Sequence, residues 1–594
     1  MFTATMSRAV RGRTRWGVSI GVVAEVATIG SFDLVEGRRD GGHLRSTDRV
    51  VDDHDGSNLY FQRRMPLYSR SLAHCHMHTV VFDRANPYQG GSMGNPVPWL
   101  EFQASRVPDK AALRDLSTGQ TTTYAELVER TSRLAGHLEA IGIRKGDRVA
   151  VLAQNNPRVF EILYACARVG AIMVPMNWRL SPHELKAIME DFSPKLLVHD
   201  GANDALAQEL AGGQTLVSRL SWGEGPEGRY EQAVASAPAT AWRQDLTEDD
   251  DWVIVYTSGT TGLPKGAVHT FRSVRANIEN SAYAGDVSSE SVGLTVLPTF
   301  HVAGLHLYAN ALLMHGGTAL IMQSFDVAET LRLFQDRKTG VTHFCGVPAN
   351  FQFMATQPGF AEAEFLPVNA TVGGSPVPRA LVDLWKERGV NVMSIYGVTE
   401  AGSSLLAMPP RGSDGKSAVG VPAMHAEASV RGADGSPLPA GSIGELWLRG
   451  PMLMRGYWNK PEESAAAIRP DGWLRTGDAA SFDAAGIFHI VDRWKDMYIS
   501  GGENVYPAEV ENVIYQHPAV VLVSVIGVPD GKWGEVGKAF VVVNADACTS
   551  DELRSWCRQR LAAFKVPASF EFLSDMPRNA TGKIMKNELK KLAA

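Results

Sequence analysis

Tyr256-Thr257-Ser258-Gly259-Thr260-Thr261-Gly262-Leu263-Pro264-Lys265-Gly266 decides how the rest of this chain is read. The residues leading into it, Trp252-Val253-Ile254-Val255-Tyr256, are a short apolar run rich in β-branched and aromatic side chains, which predicts a buried strand. The stretch itself holds three glycines, four Ser or Thr residues and one lysine. Small residues let successive backbone N–H groups converge on one point, a nest for an anion. The hydroxyls add donors for phosphate oxygens, and Lys265 adds a point charge. Gly259-Thr260-Thr261-Gly262-Leu263-Pro264-Lys265 is not a Walker A loop, because it lacks the four residues between a glycine and a Gly-Lys-Ser/Thr end. Alone, such a loop is equally a solvated turn ahead of a helix, so its meaning depends on its company.

Upstream, helices and strands alternate. Thr123 and Glu126 make a capping box, with Leu127, Leu134, Leu138 and Ile141 on one helical face and Gly142 as the stop. Val149–Leu152 predicts a strand, and Asn156-Pro157 opens a helix that ends at Gly170. Ile172–Val174 is the next strand, and Ser181 with Glu184 caps a helix leading to the strand Leu196–His199. This alternation predicts βαβ units in a mainly parallel sheet covered on both faces.

Composition sets the bounds. The 594 residues exceed the roughly 250–300 at which a single core stops growing, so two or more domains are expected. Hydrophobic (44%) and charged (21%) contents are those of an ordinary globular protein, and a net charge of −6 gives no reason to expect a nucleic-acid partner. Five cysteines without a Cys-x-x-Cys pair fit a reducing, cytoplasmic setting and speak against structural zinc or a disulfide framework. No apolar run approaches the roughly 18 residues of an integral membrane span. Residues 1–92 differ from the rest, being basic at the start and then rich in Arg, Asp and Gly. They read as a disordered extension, or as upstream sequence ahead of a native start at Met93, and His74-Cys75-His76-Met77-His78 reads as no more than an adventitious metal binder.

Four stretches follow the loop. Leu297-Pro298-Thr299-Phe300-His301-Val302-Ala303-Gly304 predicts a strand breaking into a small-residue loop. Thr371-Val372-Gly373-Gly374-Ser375-Pro376 is a strand end opening into a glycine turn that a flat ring can approach. Ser394-Ile395-Tyr396-Gly397-Val398-Thr399-Glu400 places an aromatic, a hydroxyl and a carboxylate at the end of a short strand. Trp473-Leu474-Arg475-Thr476-Gly477-Asp478 presents a second carboxylate in a tight turn. Ligands of open α/β sheets gather at the carboxyl ends of strands, where each stretch is expected to lie.

This ensemble resembles the adenylate-forming superfamily of acyl-CoA synthetases and AMP-dependent ligases, from about Trp99 to the C-terminus and in the family's motif order. The resemblance implies an α/β fold, with a large N-terminal domain of mainly parallel βαβ-type sheets and a small C-terminal α+β domain joined by a hinge. The large AMP-binding domain would span 93–492 and the small one 493–594. The resemblance further implies that Thr257, Ser258, Gly259, Thr260, Thr261, Gly262 and Lys265 wrap the β- and γ-phosphates of ATP. Gly374, Ser375 and Pro376 would border the adenine, with Tyr396 stacked on it and Gly397 beside it. Thr399 would contact the α-phosphate, Glu400 would hold Mg²⁺, and Asp478 would accept from the ribose with Arg493 alongside. Without the series, Asp478 and Arg493 would read as a surface ion pair.

Asp492-Arg493-Trp494-Lys495-Asp496 matches the hinge, with Lys495 at the pivot, and Pro507 opens a helix whose buried face is Val510, Val513 and Ile514. Lys583, in Pro577-Arg578-Asn579-Ala580-Thr581-Gly582-Lys583-Ile584, matches the family's C-terminal catalytic lysine; with Glu400 and Thr257 it completes the catalytic set. Lys586, Lys590 and Lys591 read instead as a solvated helix face. Gly501, Gly502, Trp533 and Phe564 correspond to positions near CoA, although Val566 stands where some relatives carry a basic residue. Phe300, His301 and Gly304 would line the acyl pocket. The pocket segments 294–310, 341–354 and 373–376 contain no Lys, Arg, Asp or Glu, which predicts an acid with an uncharged tail, fatty or aryl. The expected activity is an acid–thiol ligase using ATP, Mg²⁺ and coenzyme A, with no zinc, haem or flavin. Its partners would be these small molecules, with a homodimer left open. The alternatives are an acyl-AMP ligase that loads a free-standing carrier protein and a non-catalytic ligand-binding relative.

Overall fold

A computed structural model of the protein describes residues 96–212, 216–223, 229–257, 264–375, 377–408, 418–494, 496–544, 548–579 and 582–593 in full. The strands Val50–Asp52, Asn58–Phe61 and Val81–Asp83 are described besides, as a three-stranded antiparallel sheet within the unit Met1–Gln89. Most of the N-terminal extension lies outside the described residues, as do Met93 and the His74–His78 cluster. Gly90–Ala594 forms a second compact unit, which carries everything below.

That unit is α/β, with two large sheets and a smaller C-terminal domain. In the seven-stranded sheet, Asp251–Thr257, Ile172–Pro175, Arg148–Leu152, Leu196–Asp200 and Ser218–Trp222 run parallel. The thirteen-stranded sheet has a parallel block from Asn391–Val398 through Asn369–Val372, His343–Gly346, Val292–Thr295 and Thr318–Ile321 to Ala111–Asp115. Beyond Asn391–Val398 it continues antiparallel through Gly402–Ala407 to the strands Leu474–Phe482 and Phe488–Arg493.

The local signals set the helices. Thr123 and Ser181 form the reciprocal capping boxes with Glu126 and Glu184, starting the helices Tyr124–Ala140 and Pro182–Phe192. The helix Pro157–Val169 starts under Asn156 and is capped by Gly170. All but one of its residues are buried, as expected of a helix covered on every side. Its two buried charges are paired, Glu161 with Arg130 at 2.7 Å and Arg168 with Glu101 at 2.5 Å. Trp252, fully buried, donates its indole N–H to the Leu163 carbonyl at 2.9 Å and packs on Phe271, joining the strand before the glycine-rich loop to two helices.

Three elements differ from the sequence expectation. Residues 297–302 are not a strand; the strand ends at Thr295, and Ala303–Asn310 is a π-helix. Asp478 is not in a tight turn but within the strand Leu474–Phe482, opposite Arg493. From Asp551 to Phe564 the sequence also predicts a helix, which is shorter in the structure, Ser550–Arg558, with a 3₁₀ turn at Ala563–Lys565. The C-terminal domain otherwise pairs Val520–Asp530 with Gly534–Val543 and packs the helix Pro507–Tyr515 on them, with Val510 and Ile514 fully buried.

Candidate active site

Two cavities share a wall where these strands end. The larger, about 210 Å³, is lined by Gly374, Ser375, Tyr396, Asp478, Arg493 and Lys583 among others. The smaller, about 150 Å³, is lined by Leu297, His301, Val302, Ala303, Leu307 and Cys345 among others. Gly374, Ile395, Gly397, Val398 and Lys583 belong to both walls.

In the larger cavity the Tyr396 hydroxyl donates to Asp478 Oδ2 at 2.6 Å, and Arg493 Nε lies 3.0 Å from Asp478 Oδ1. Asp478 is 3% exposed, so the two donors replace the water it gives up. Burial and the neighbouring carboxylate push the Tyr396 phenol far up, keeping it a donor. Burial works against the Arg493 charge, but Asp478, Tyr396, Asp496 and Glu400 together outweigh it and hold the guanidinium above its ordinary pKa. Asp478→Asn should therefore destabilise the protein by about 1–3 kcal/mol, because it leaves Arg493 without its counter-charge. Thermal unfolding of the ligand-free variant checks this, and an unchanged midpoint would refute it.

The glycine-rich loop joins two antiparallel strands, Asp251–Thr257 and Lys265–Thr270, with Thr257 opposite Lys265. Ser258, Gly259, Thr260, Thr261 and Gly262 lie outside the described residues, as do Pro376 and Lys495. The strand after the loop reaches the Thr399-Glu400 turn: the fully buried His269 faces the Thr399 carbonyl at 2.9 Å. A carbonyl only accepts, so Nε2 carries the proton, and burial lowers the His269 pKa to about 4, keeping the ring neutral. Met454 N–H donates to the Glu400 carbonyl at 2.8 Å, and the Tyr457 hydroxyl donates to Glu400 Oε1 at 2.7 Å. Lys265 Nζ sits 5.2 Å from the centre of the Tyr457 ring. Among the described residues no three His, Cys, Asp or Glu side chains are grouped to hold a metal. A cation at Glu400 would therefore depend on oxygens of a bound ligand, a donor set that suits Mg²⁺.

Lys583 follows Gly582 in a turn closed by pairing of Arg578 with Ile584. Its N–H donates to Asn579 Oδ1 at 3.0 Å and its carbonyl accepts from Asn579 N–H at 2.8 Å. Arg578, beside it, lies over the Phe353 ring of the large domain at 5.0 Å, so the small domain is seated with Lys583 at the shared wall. Lys586 corrects the reading of a solvated face: its ammonium lies 2.9 Å from Glu511 and lines the larger cavity. Burial works against that charge, but Glu511 and Asp492 hold the lysine above its ordinary pKa.

The smaller cavity includes His301 but neither Phe300 nor Gly304. Phe300 is buried beside the His301 ring, with ring centres 4.9 Å apart. Gly304 is glycine because a Cβ there would lie 2.1 Å from the Pro298 carbonyl oxygen, so the π-helix packs directly on the preceding backbone. Burial, with the Arg179 guanidinium, lowers the His301 pKa to about 4. Gly501, Gly502, Trp533 and Phe564 line neither cavity; Gly501 N–H donates to the Trp533 carbonyl at 2.9 Å, and Trp533 (50%) and Phe564 (37%) are exposed. Sequence reasoning missed His269, Tyr457 and the pairing of Lys586. Their contacts span many residues of chain, and no periodicity or motif spacing signals them.

The model of the AMP-binding enzyme family matches residues 100–458, and that of the AMP-binding enzyme C-terminal domain matches residues 509–583. A feruloyl-CoA synthase of Amycolatopsis sp is 40% identical over 498 residues, which cover 83% of this chain and 98% of that protein. The fatty acid–[acyl-carrier-protein] ligase ScoC of Streptomyces coeruleorubidus is 36% identical over 511 residues, covering 83% and 95%. Among solved structures, ATP-bound MatB from Rhodopseudomonas palustris is similar with a TM-score of 0.76 at 31% identity, covering 84% of this chain and 99% of that one. With both family models matched and such relatives aligned over most of their length, the chain belongs to the AMP-binding enzyme family, the adenylate-forming acyl-CoA synthetases and ligases.

Proposed function

We propose that this protein is an acid–thiol ligase that activates a carboxylic acid with an uncharged tail, fatty or aryl, as its acyl-adenylate and passes the acyl group to coenzyme A. One observation carries the reading: Lys583 lies on the wall common to a cavity lined by several charged side chains and a largely apolar one. A nucleotide in the first and an acid in the second would bring α-phosphate and carboxylate together at that ammonium. The carboxylate oxygen attacks the α-phosphorus, the bond to pyrophosphate breaks, and Lys583 stabilises charge that develops only on the way. A thiol then attacks the acyl carbonyl, the bond to AMP breaks, and the thiol proton leaves to solvent.

The remaining roles belong to the same reading. A carboxylate has about four acceptor positions, so Asp478 retains capacity for two ribose hydroxyls beside Tyr396 and Arg493. The Tyr396 ring and the Gly374-Ser375 turn flank the space for adenine, with Pro376 next in the chain. Thr257 to Lys265 would grip the outer phosphates and Thr399 the α-phosphate. Glu400 would hold Mg²⁺, which when bound neutralises phosphate charge. Gly501, Gly502, Trp533 and Phe564, exposed on the small domain, would meet the thiol substrate after rotation about Lys495. The smaller cavity has no acidic or guanidinium side chain in its wall, and a neutral His301 adds no charge, which supports an uncharged tail.

Acid-dependent exchange of pyrophosphate into ATP, with fatty and aryl acids and with or without CoA, tests this. Exchange with at least one acid and CoA-thioester formation are expected; no exchange with any acid would sink the reading. The likeness to ScoC favours carrier-protein loading as the second reading, and exchange without CoA-thioester formation would decide for it.

A further inference from the structure

We infer that Tyr457 is a positioning residue for Glu400, holding that carboxylate for single-oxygen contact with the divalent cation that accompanies ATP. The inference rests on the reading of Glu400 as the Mg²⁺ carboxylate. Among the described residues four hydrogen bonds hold the Thr399-Glu400 turn, and three of them, from His269, from the Met454 amide and from the Ala401 amide to the Val398 carbonyl, fix only main-chain carbonyls. Among the described residues the Tyr457 hydroxyl is the hydrogen-bond donor that reaches the side chain, and it engages Oε1, so that Oε2 can turn to a cation. Mg²⁺ sites in which phosphate supplies most ligands take carboxylate oxygens singly, and groups that orient a ligating carboxylate commonly set metal affinity.

Tyr457 is well placed to act through geometry alone. Its strand, Gly456–Tyr457, pairs with the strand that follows the glycine-rich loop, Tyr457 standing opposite Ala267. Its amide donates to Ser464 Oγ at 2.8 Å, and Trp458 N–H donates to the Gly266 carbonyl at 2.7 Å. The backbone is thus tied to the base of the loop, while one ring serves two charges: its face meets Lys265 and its hydroxyl meets Glu400. The phosphate-loop lysine and the metal carboxylate are thereby linked through a single side chain.

Tyr457→Phe separates the two contacts, because it keeps the ring and every backbone bond and deletes only the hydroxyl. The experiment measures Mn²⁺ binding to the protein–ATP complex, by the loss of the free-ion EPR signal, in wild type, Tyr457→Phe, Glu400→Gln and the double variant. Tyr457→Phe should weaken ion binding about tenfold, while ATP binding in chelator and the ligand-free unfolding midpoint stay at wild-type values. In the Glu400→Gln background the same change should add nothing, since the hydroxyl acts through that carboxylate. Wild-type ion binding by Tyr457→Phe, or an undiminished tenfold loss in the Glu400→Gln background, would overturn the proposal. If Glu400→Gln itself binds Mn²⁺ as wild type does, the assignment of Glu400 fails and the positioning role fails with it.

Discussion

Lys583→Ala should lower acid-dependent pyrophosphate exchange at least a hundredfold, equivalent to about 3 kcal/mol of lost transition-state stabilisation. Thioester formation from supplied acyl-adenylate should continue at close to the wild-type rate. The size of the first effect follows from position. Lys583 lines two cavities at their shared wall and is half-buried, so its interaction with charge forming between carboxylate and phosphate is less screened than it would be in bulk water. The sparing of the second step follows from the chemistry: when a thiol attacks the acyl carbonyl, charge leaves with AMP and no bond to the α-phosphorus forms. Measuring the two half-reactions separately decides the matter. Equal loss in both would show that Lys583 serves the site as a whole and not the first step.

The second large effect is on the scaffold beside Glu400. Gly402→Ala should destabilise the protein by about 2–5 kcal/mol, combining backbone strain with overpacking. Gly402 has φ of +96°, and a Cβ there would fall 1.4 Å from the Asn277 side-chain nitrogen. Asn277 has no room to swing aside: it is 1% exposed, and its Oδ1 accepts from the Ser403 amide at 3.0 Å. Relief would require moving either the helix Phe271–Gly285 or the strand Gly402–Ala407, which forms part of the smaller cavity's wall. Thermal unfolding of Gly402→Ala and of the double variant Gly402→Ala/Asn277→Ala tests this. The double variant should be less unstable than the two single losses summed, because the clash, present only in Gly402→Ala, is relieved once Asn277 is truncated. Additive losses, or an unchanged midpoint for Gly402→Ala, would refute the steric account.

Several parts of the fold are legible in the sequence alone. The capping boxes at Thr123–Glu126 and Ser181–Glu184, and the Asn156-Pro157 start with its Gly170 stop, are hydrogen-bonding patterns completed within a few residues. The βαβ alternation was legible for the same reason, since each strand and helix carries its own apolar period. The composition of Thr476-Gly477-Asp478 predicts a turn for Asp478. The cross-strand register with Arg493 and the bond from Tyr396, 82 residues away, put it in a strand instead. The π-helix at Ala303–Asn310 was likewise invisible, since what shapes that segment includes the contact of Gly304 with the Pro298 carbonyl.

The sequence by itself determined the α/β fold class and the family, because those rest on short ordered motifs and local periodicity that each segment carries alone. Only the tertiary structure decided which side chains serve them. It brought Tyr457 to Glu400 across 57 residues and His269 to Thr399 across 130, moved Lys586 from solvent to Glu511, and took Phe300 and Gly304 off the cavity wall. The physical reason is that a buried charge or hydroxyl takes whatever partner the packed sheets deliver to it, and that partner is set by strand register and domain seating.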